Sequence, residues 1–361
     1  MKRIKAAITE GRGKPFVIED VELDDYKEDE ILVEIKAVGI CHTDEAAQMQ
    51  MLPVPLPAVL GHEGAGIVRE TGAAVSEFAP GDHVVLSFAS CGACDPCLQG
   101  KPYACENMVP LNFQGVMQDG SRRHWYKGKQ LSNFFSQSSF AAMCAVKARN
   151  AVKIDKSIDL GVAAPFGCGI QTGAGIVLNS LDPPFGSTLA VSGCGTVGMC
   201  AIMAAAIRGC KEIIAIGGNE KSLALAEELG ATRTINRKKT EDIPAAIRGY
   251  AGAGLDYFID TSGVETMINN GMESLNYMGT LVMAGAGSTL HLGLNLGAKT
   301  IKGVTEGNSI PKHFIPALLD YYQRGLFPVD KLIKFWRFDE INEAFAASHS
   351  GEAIKAVLRM D

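Results

Sequence analysis

Cys41-His42-Thr43-Asp44 sets a soft metal ligand, a basic ring, a hydroxyl and a carboxylate in four consecutive positions. Two further ligands stand far along the chain: His62 in Gly61-His62-Glu63-Gly64, and Cys168 in Phe166-Gly167-Cys168-Gly169. Cys, His and Cys from three separate places make a three-ligand zinc site whose fourth position stays open to water or substrate. A second group, Cys91-x2-Cys94-x2-Cys97-x7-Cys105, puts four thiols into one fifteen-residue loop. Four thiolates close a tetrahedral shell round one zinc ion, leaving no place for water to be activated, so this site is structural. An iron–sulfur cluster is the rival, but the spacing does not follow the usual cluster pattern. Cys144, Cys194, Cys200 and Cys210 lack partners at metal spacing and read as small buried thiols. His83, His124, His291, His313 and His349 read as structural histidines.

The next stretch with chemistry in it is Gly193-Cys194-Gly195-Thr196-Val197-Gly198, a G-x-G-x-x-G turn. Such a turn alone is weak evidence. Here residues 187–191 read as a strand before it, 199–208 as a small-residue helix after it, and 212–216 as a second strand. That context makes it a dinucleotide-binding turn. Gly193, Gly195 and Gly198, with Thr196 and Val197, let the backbone approach a pyrophosphate at the helix N-terminus. Where this fold usually carries an acidic residue for the adenosine ribose, the chain has Gly217, then Gly218 and Asn219. No carboxylate stands there to repel a 2′-phosphate, and Asn219, Lys221, Arg237 and Lys238 are in reach of one. The reading predicts NADP in preference to NAD; the alternative is weakened selectivity in which NAD still works.

The elements that must position these residues fall into two kinds. Residues 31–38, 66–68 and 83–86 are rich in β-branched side chains and read as strands, punctuated at Asp24-Asp25, 53–57 and Pro80-Gly81-Asp82. From about 160 the pattern turns to βα alternation, through 224–230, 255–260, 264–275 and 280–284. The strand at 279–284 is a candidate edge for pairing between subunits. Two amphipathic stretches, 314–324 and 338–347, and a strand at 353–359 complete the chain. A length of 361 residues, 47% of them hydrophobic, is enough for two domains. The net charge of −6 argues against nucleic acid as main partner. No run of 18 apolar residues predicts a membrane span, and Met1-Lys2-Arg3-Ile4-Lys5 leads into no apolar export segment. With ten cysteines, metal binding is favoured over disulfides and the expected location is the cytoplasm.

Gly39-Ile40-Cys41-His42-Thr43-Asp44, Gly61 to Gly66, the four-cysteine loop, Cys168, Gly193 to Gly198 and Ile341-Asn342-Glu343-Ala344 together resemble the zinc-containing medium-chain alcohol dehydrogenases. Gln137 to Ala141 and Gln171 to Gly175 are similar to the benzyl (aryl) alcohol branch. The resemblance implies an α/β protein: a GroES-like β-barrel catalytic domain (1–160, structural zinc loop 91–105), a Rossmann doubly wound parallel sheet (161–305), and a return to the catalytic domain (306–361). It implies two zinc ions per chain, the catalytic one on Cys41, His62 and Cys168. Glu63 and Asp44 would stand just behind the ligands, with Asp44 orienting the imidazole. Thr43 would take the alcohol proton, His42 and Lys355 would hold the pyrophosphate, and Thr172 and Val197 would pack at the nicotinamide. Many relatives carry a histidine five residues after the first cysteine ligand as the end of a proton relay; Ala46 stands there instead. Homodimers or homotetramers are expected. Phe88, Leu111, Phe134 and Phe135 would form a slot for a small-molecule aryl or allylic alcohol and its aldehyde. A secondary alcohol, including a large cyclic one, is the rival substrate. A non-catalytic zinc and nucleotide-binding protein is the rival class.

Overall fold

Glu30–Gly39 is the strand around which the candidate metal ligands Cys41 and His62 are gathered. Both of its edges are paired: Glu63–Thr71 runs antiparallel on one side, Met143–Lys147 and Lys355–Arg359 on the other. That is why Ile31, Leu32, Val33, Ile35 and Val38 are all buried rather than alternating with exposed positions. Each such side chain contributes about 1.5–3 kcal/mol of hydrophobic stabilisation. The register sets Gly39 opposite both Glu63 and Val357, so three distant segments meet at one strand end. A Cβ on Gly39 would lie 1.9 Å from Glu63 Oε2, so any larger residue there would have to displace the buried Glu63 carboxylate.

This computed structural model describes residues 1–285 and 289–360. The chain divides into two units, Met1–Gly169 with Ile310–Asp320 and Val329–Asp361, and Ile170–Ser309 with Tyr321–Pro328. The first holds a seven-stranded sheet built on Glu30–Gly39 and a five-stranded sheet in which Lys2–Thr9 pairs antiparallel with Val17–Leu23. One hydrophobic core runs through it, from Ile4 to Leu358. The divisions expected at 160 and 305 differ from these bounds, and Tyr321–Pro328 belongs to the second unit, a return with no marker in the sequence.

The second unit is a six-stranded parallel sheet. Its order across the sheet is Arg233–Asn236, Glu212–Gly217, Thr188–Ser192, Leu255–Asp260, Leu275–Met283 and Thr300–Gly303. In chain order this is 3-2-1-4-5-6, the doubly wound arrangement with its switch point beside the first strand. Thr188–Ser192 is buried along its whole length, as a central parallel strand must be. The helix Thr196–Ile207 follows it and, after Thr196, carries no polar or charged side chain apart from the thiol of Cys200. One expectation is corrected here. The strand containing 279–284 is not an edge, because Thr300–Gly303 pairs with it and takes the edge position. Among the described residues, no single helix is long and apolar enough to cross a membrane.

Candidate active site

Cys41, His62, Glu63 and Cys168 converge in the first unit, with one ligand atom from each lying within 4.8 Å of all the others. Cys41 precedes the helix His42–Gln48 and lies just past the end of the central strand; Glu63 opens the strand paired to it. Cys168 is brought in by Ser87 Oγ, which donates to Gly167 O at 2.8 Å. A Cβ on Gly167 would lie 2.1 Å from Leu86 O, so the glycine lets this segment close onto the strand His83–Leu86.

Asp44, fully buried, organises the rest. It accepts from Cys41 N at 3.1 Å, from Gly61 N at 3.0 Å and from His62 Nδ1 at 3.0 Å. A carboxylate can only accept, so Nδ1 carries the hydrogen and Nε2 keeps its lone pair. That Nε2 atom is buried and has no hydrogen-bond partner. A buried unpartnered nitrogen is costly unless something binds it, and here two thiols stand beside it. The donor set therefore fits a zinc ion. The Cys41 thiol is held well below the ordinary range, by the hydrogen bond from Cys168 first, with the Lys355 ammonium adding, against burial. Thr43 Oγ1 lies 3.6 Å from Cys41 Sγ, and His42 is exposed at the first helical position.

Lys355 is a correction. It was expected at the pyrophosphate, yet its ammonium is buried and fully engaged. Nζ donates to Glu63 Oε2 at 2.7 Å, Glu63 Oε1 at 3.0 Å and Ile40 O at 2.9 Å, which uses all three of its hydrogens. Burial works against its charge, but Glu63, with Cys41 and Cys168 adding, leaves its pKa raised. Glu63 Oε1 also accepts from Gly169 N at 3.1 Å. This ion pair joins partners 292 residues apart, which no local pattern reveals.

The aromatic slot is also arranged differently from expectation. Phe134 and Phe135 are buried against the histidine: Phe135 stacks on the His62 ring at 4.4 Å, and Phe134 meets it edge-on at 5.5 Å. Phe88 and Leu111 line separate cavities of about 300 and 350 Å³. Gln137, noted in the sequence only within the branch resemblance, ties the loop to the site. Its Nε2 donates to His62 O at 3.0 Å and Ser87 O at 3.2 Å.

The four cysteines of the loop form the second cluster. Cys91 Sγ lies 4.0 Å from Cys97 Sγ, and Cys94 Sγ 3.9 Å from Cys105 Sγ. Zinc–sulfur bonds of about 2.3 Å at tetrahedral angles put sulfurs about 3.8 Å apart, so this group too fits a zinc ion. Backbone N–H groups of Cys94 and Asn107 point at the Cys91 and Cys105 sulfurs, at 3.3 and 3.4 Å.

The residues expected to hold the dinucleotide, other than His42 and Lys355, lie in the second unit. Gly193 N donates to Ile216 O at 2.9 Å, and a Cβ on Gly198 would lie 1.8 Å from Gly193 O, so the turn packs backbone on backbone. Thr196 and Val197 open the helix, and Gly195 is exposed. Thr172 Oγ1 donates to Glu306 Oε2 at 3.4 Å. At the ribose position, Asn219 Oδ1 caps its helix by accepting from Lys221 N at 2.9 Å. A Cβ on Gly218 would meet Lys238 Cε at 3.0 Å and Arg237 Nε at 3.4 Å, which sets two cations beside Gly218.

Residues 27–156 match the family described as the alcohol dehydrogenase GroES-like domain, and residues 196–321 the zinc-binding dehydrogenase family. The chain is 41% identical to geraniol dehydrogenase of Castellaniella defragrans, over 98% of this chain and 97% of that one. Its structure superposes on an alcohol dehydrogenase zinc-binding domain protein from Burkholderia ambifaria with a TM-score of 0.97 and 43% identity, covering 100% and 99% of the two chains. It superposes on benzyl alcohol dehydrogenase of Acinetobacter calcoaceticus with a TM-score of 0.96 and 39% identity, covering 100% of both.

Proposed function

The chain belongs to the zinc-containing medium-chain alcohol dehydrogenases, and from that premise we propose that it moves hydride between a bulky aryl or allylic alcohol and NADP, with Cys41, His62 and Cys168 as the catalytic metal ligands. The observation that carries this is the buried, unpartnered Nε2 of His62 beside two thiols. Zinc held there by Cys41, His62 and Cys168 would supply Lewis acidity, the chemistry that lets an alcohol lose its proton near neutral pH. The nicotinamide ring supplies the hydride acceptor.

The chain's own residues do the remainder. Asp44 fixes the His62 tautomer and orientation. Glu63 and Lys355 cancel each other's charge behind the ligands. Thr43 takes the alcohol proton and passes it outward; with Ala46 in place of a histidine, the path ends in water or on another group of the chain. Gly193 to Gly198, with Thr196 and Val197, receive the pyrophosphate. Cys91, Cys94, Cys97 and Cys105 hold a second, structural zinc.

The names of two relatives, geraniol and benzyl alcohol dehydrogenase, support the allylic or aryl substrate. A panel of alcohols should show kcat/KM for benzylic or allylic alcohols at least about 100-fold above that for ethanol, the worth of two or three buried methylene groups. Turnover confined to short aliphatic alcohols would refute the substrate assignment.

The bare Gly217, with Arg237 and Lys238 beside Gly218, supports NADP. Kinetics with both cofactors at one fixed alcohol should give NADP about a tenfold or greater advantage in kcat/KM, the effect of one or two charge-assisted hydrogen bonds. A clear NAD advantage would reverse the assignment. The reading includes a cytoplasmic homo-oligomer. Ten cysteines free of disulfides among the described residues support the reducing compartment. The edge strand Thr300–Gly303, with Ile301 exposed on it, supports pairing between subunits.

A further inference from the structure

Gly217 ends its strand with its backbone pinned on two sides. Gly193 N donates to the preceding carbonyl, Ile216 O, and Arg237 N donates to Gly217 O, both at 2.9 Å. A Cβ added to Gly217 would lie 2.9 Å from Cys194 Sγ and 3.2 Å from Leu223 Cδ2. The first separation is well inside van der Waals contact, which for carbon atoms begins at about 3.5 Å, and the second is tight by a few tenths of an ångström. The backbone cannot recede, and Leu223 is a buried residue of the helix Glu220–Glu228. Only the thiol of Cys194, the second residue of the glycine-rich turn, is free to give way.

We propose that Cys194 is a specificity-determining residue for the cofactor: its thiol fills the space in which a side chain at 217 would begin. It thereby keeps the ribose position bare and leaves recognition of the 2′ group to the Arg237 and Lys238 side. Burial pushes this thiol up to about 11, so it acts as a neutral filler rather than as a charge. An acidic residue at 217, the feature that selects NAD in this fold, would begin against this thiol and could settle only by turning it aside. Cofactor choice is a property of the pair 194 and 217. The inference rests on the dinucleotide reading of this turn.

The test compares the full-length enzyme with C194A, G217D and C194A/G217D, measuring kcat/KM for NAD and NADP with one alcohol. G217D alone should lower NADP efficiency by about 100-fold through charge repulsion, yet raise NAD efficiency by less than about threefold, because the carboxylate is displaced. Adding C194A to G217D should raise NAD efficiency by about tenfold or more, a non-additive effect of contacting residues. Equal NAD efficiency in G217D and C194A/G217D would overturn the proposal. A milder cycle serves if G217D does not fold. G217A should lower Tm by about 4 °C in the natural chain and by less than half of that in C194A, since overpacking is relieved. Equal shifts in both backgrounds would likewise overturn it. If the natural enzyme prefers NAD, the NADP assignment fails, but the comparison of G217D with and without C194A still decides the role of the thiol.

Discussion

Serine in place of Cys41 should remove one zinc ion per chain and lower kcat/KM by about 10⁴-fold or more, while the second zinc stays bound. A serine hydroxyl stays protonated at neutral pH and is a poor ligand for zinc, so a site with one remaining thiol and one imidazole loses most of its affinity. Without the metal, nothing in the site lowers the alcohol's pKa, and a factor of 10⁴ corresponds to only about 5.5 kcal/mol of lost stabilisation. The four-cysteine loop is built from a separate stretch, with backbone N–H groups already aimed at its sulfurs, so it should keep its ion. Metal analysis should read two zinc ions per natural chain and one in C41S. Full activity in C41S at one zinc per chain would mean that Cys41 is not a catalytic ligand.

Replacing Lys355 by methionine should destabilise the fold by about 3–5 kcal/mol, because it leaves the Glu63 carboxylate buried without its counter-charge. In this structure Lys355 Nζ is 2.7 and 3.0 Å from the two Glu63 oxygens, in a site closed to water. Converting the partner as well, in E63Q/K355M, should recover part of that loss, since the uncompensated charge is then gone. Denaturant unfolding of the three proteins measures it. A lysine that served mainly to hold pyrophosphate would behave otherwise: K355M would raise KM for the cofactor severalfold and leave the unfolding midpoint where it was.

Most of the metal chemistry was legible in the sequence because ligands are chemically distinctive and their local spacing is tight. Cys91 to Cys105 needed no long-range information at all. Cys41, His62 and Cys168 needed the register Gly39↔Glu63 to bring the first two together, and a sequence prints no register. The family resemblance supplied that missing geometry. The Glu63–Lys355 pair was not legible for the same reason. Lysine on a strand reads as solvated surface, and only the pairing of Lys355–Arg359 against the end of Glu30–Gly39 buries it. Phe134 and Phe135 read from the sequence as the lining of an open slot. Their packing on the His62 ring depends on loop backbone with left-handed φ values at Phe135, Ser136 and Ser138, which propensities do not foretell. The parallel sheet was the easiest part to read, yet its edge was misplaced by one strand. Thr300–Gly303 is only four residues long, with three of them exposed, so it lacks the apolar run that marks a central strand.

The most direct measurement is a crystal structure of the zinc-loaded protein with anomalous data collected on both sides of the zinc edge. Two peaks per chain should appear. One should be bonded to Cys41 Sγ and Cys168 Sγ at about 2.3 Å and to His62 Nε2 at about 2.0–2.1 Å, the other to four sulfurs at about 2.3 Å. A single peak in the four-cysteine loop of an enzyme that still oxidises alcohols would contradict the account, as would a first-site ion that His62 does not touch.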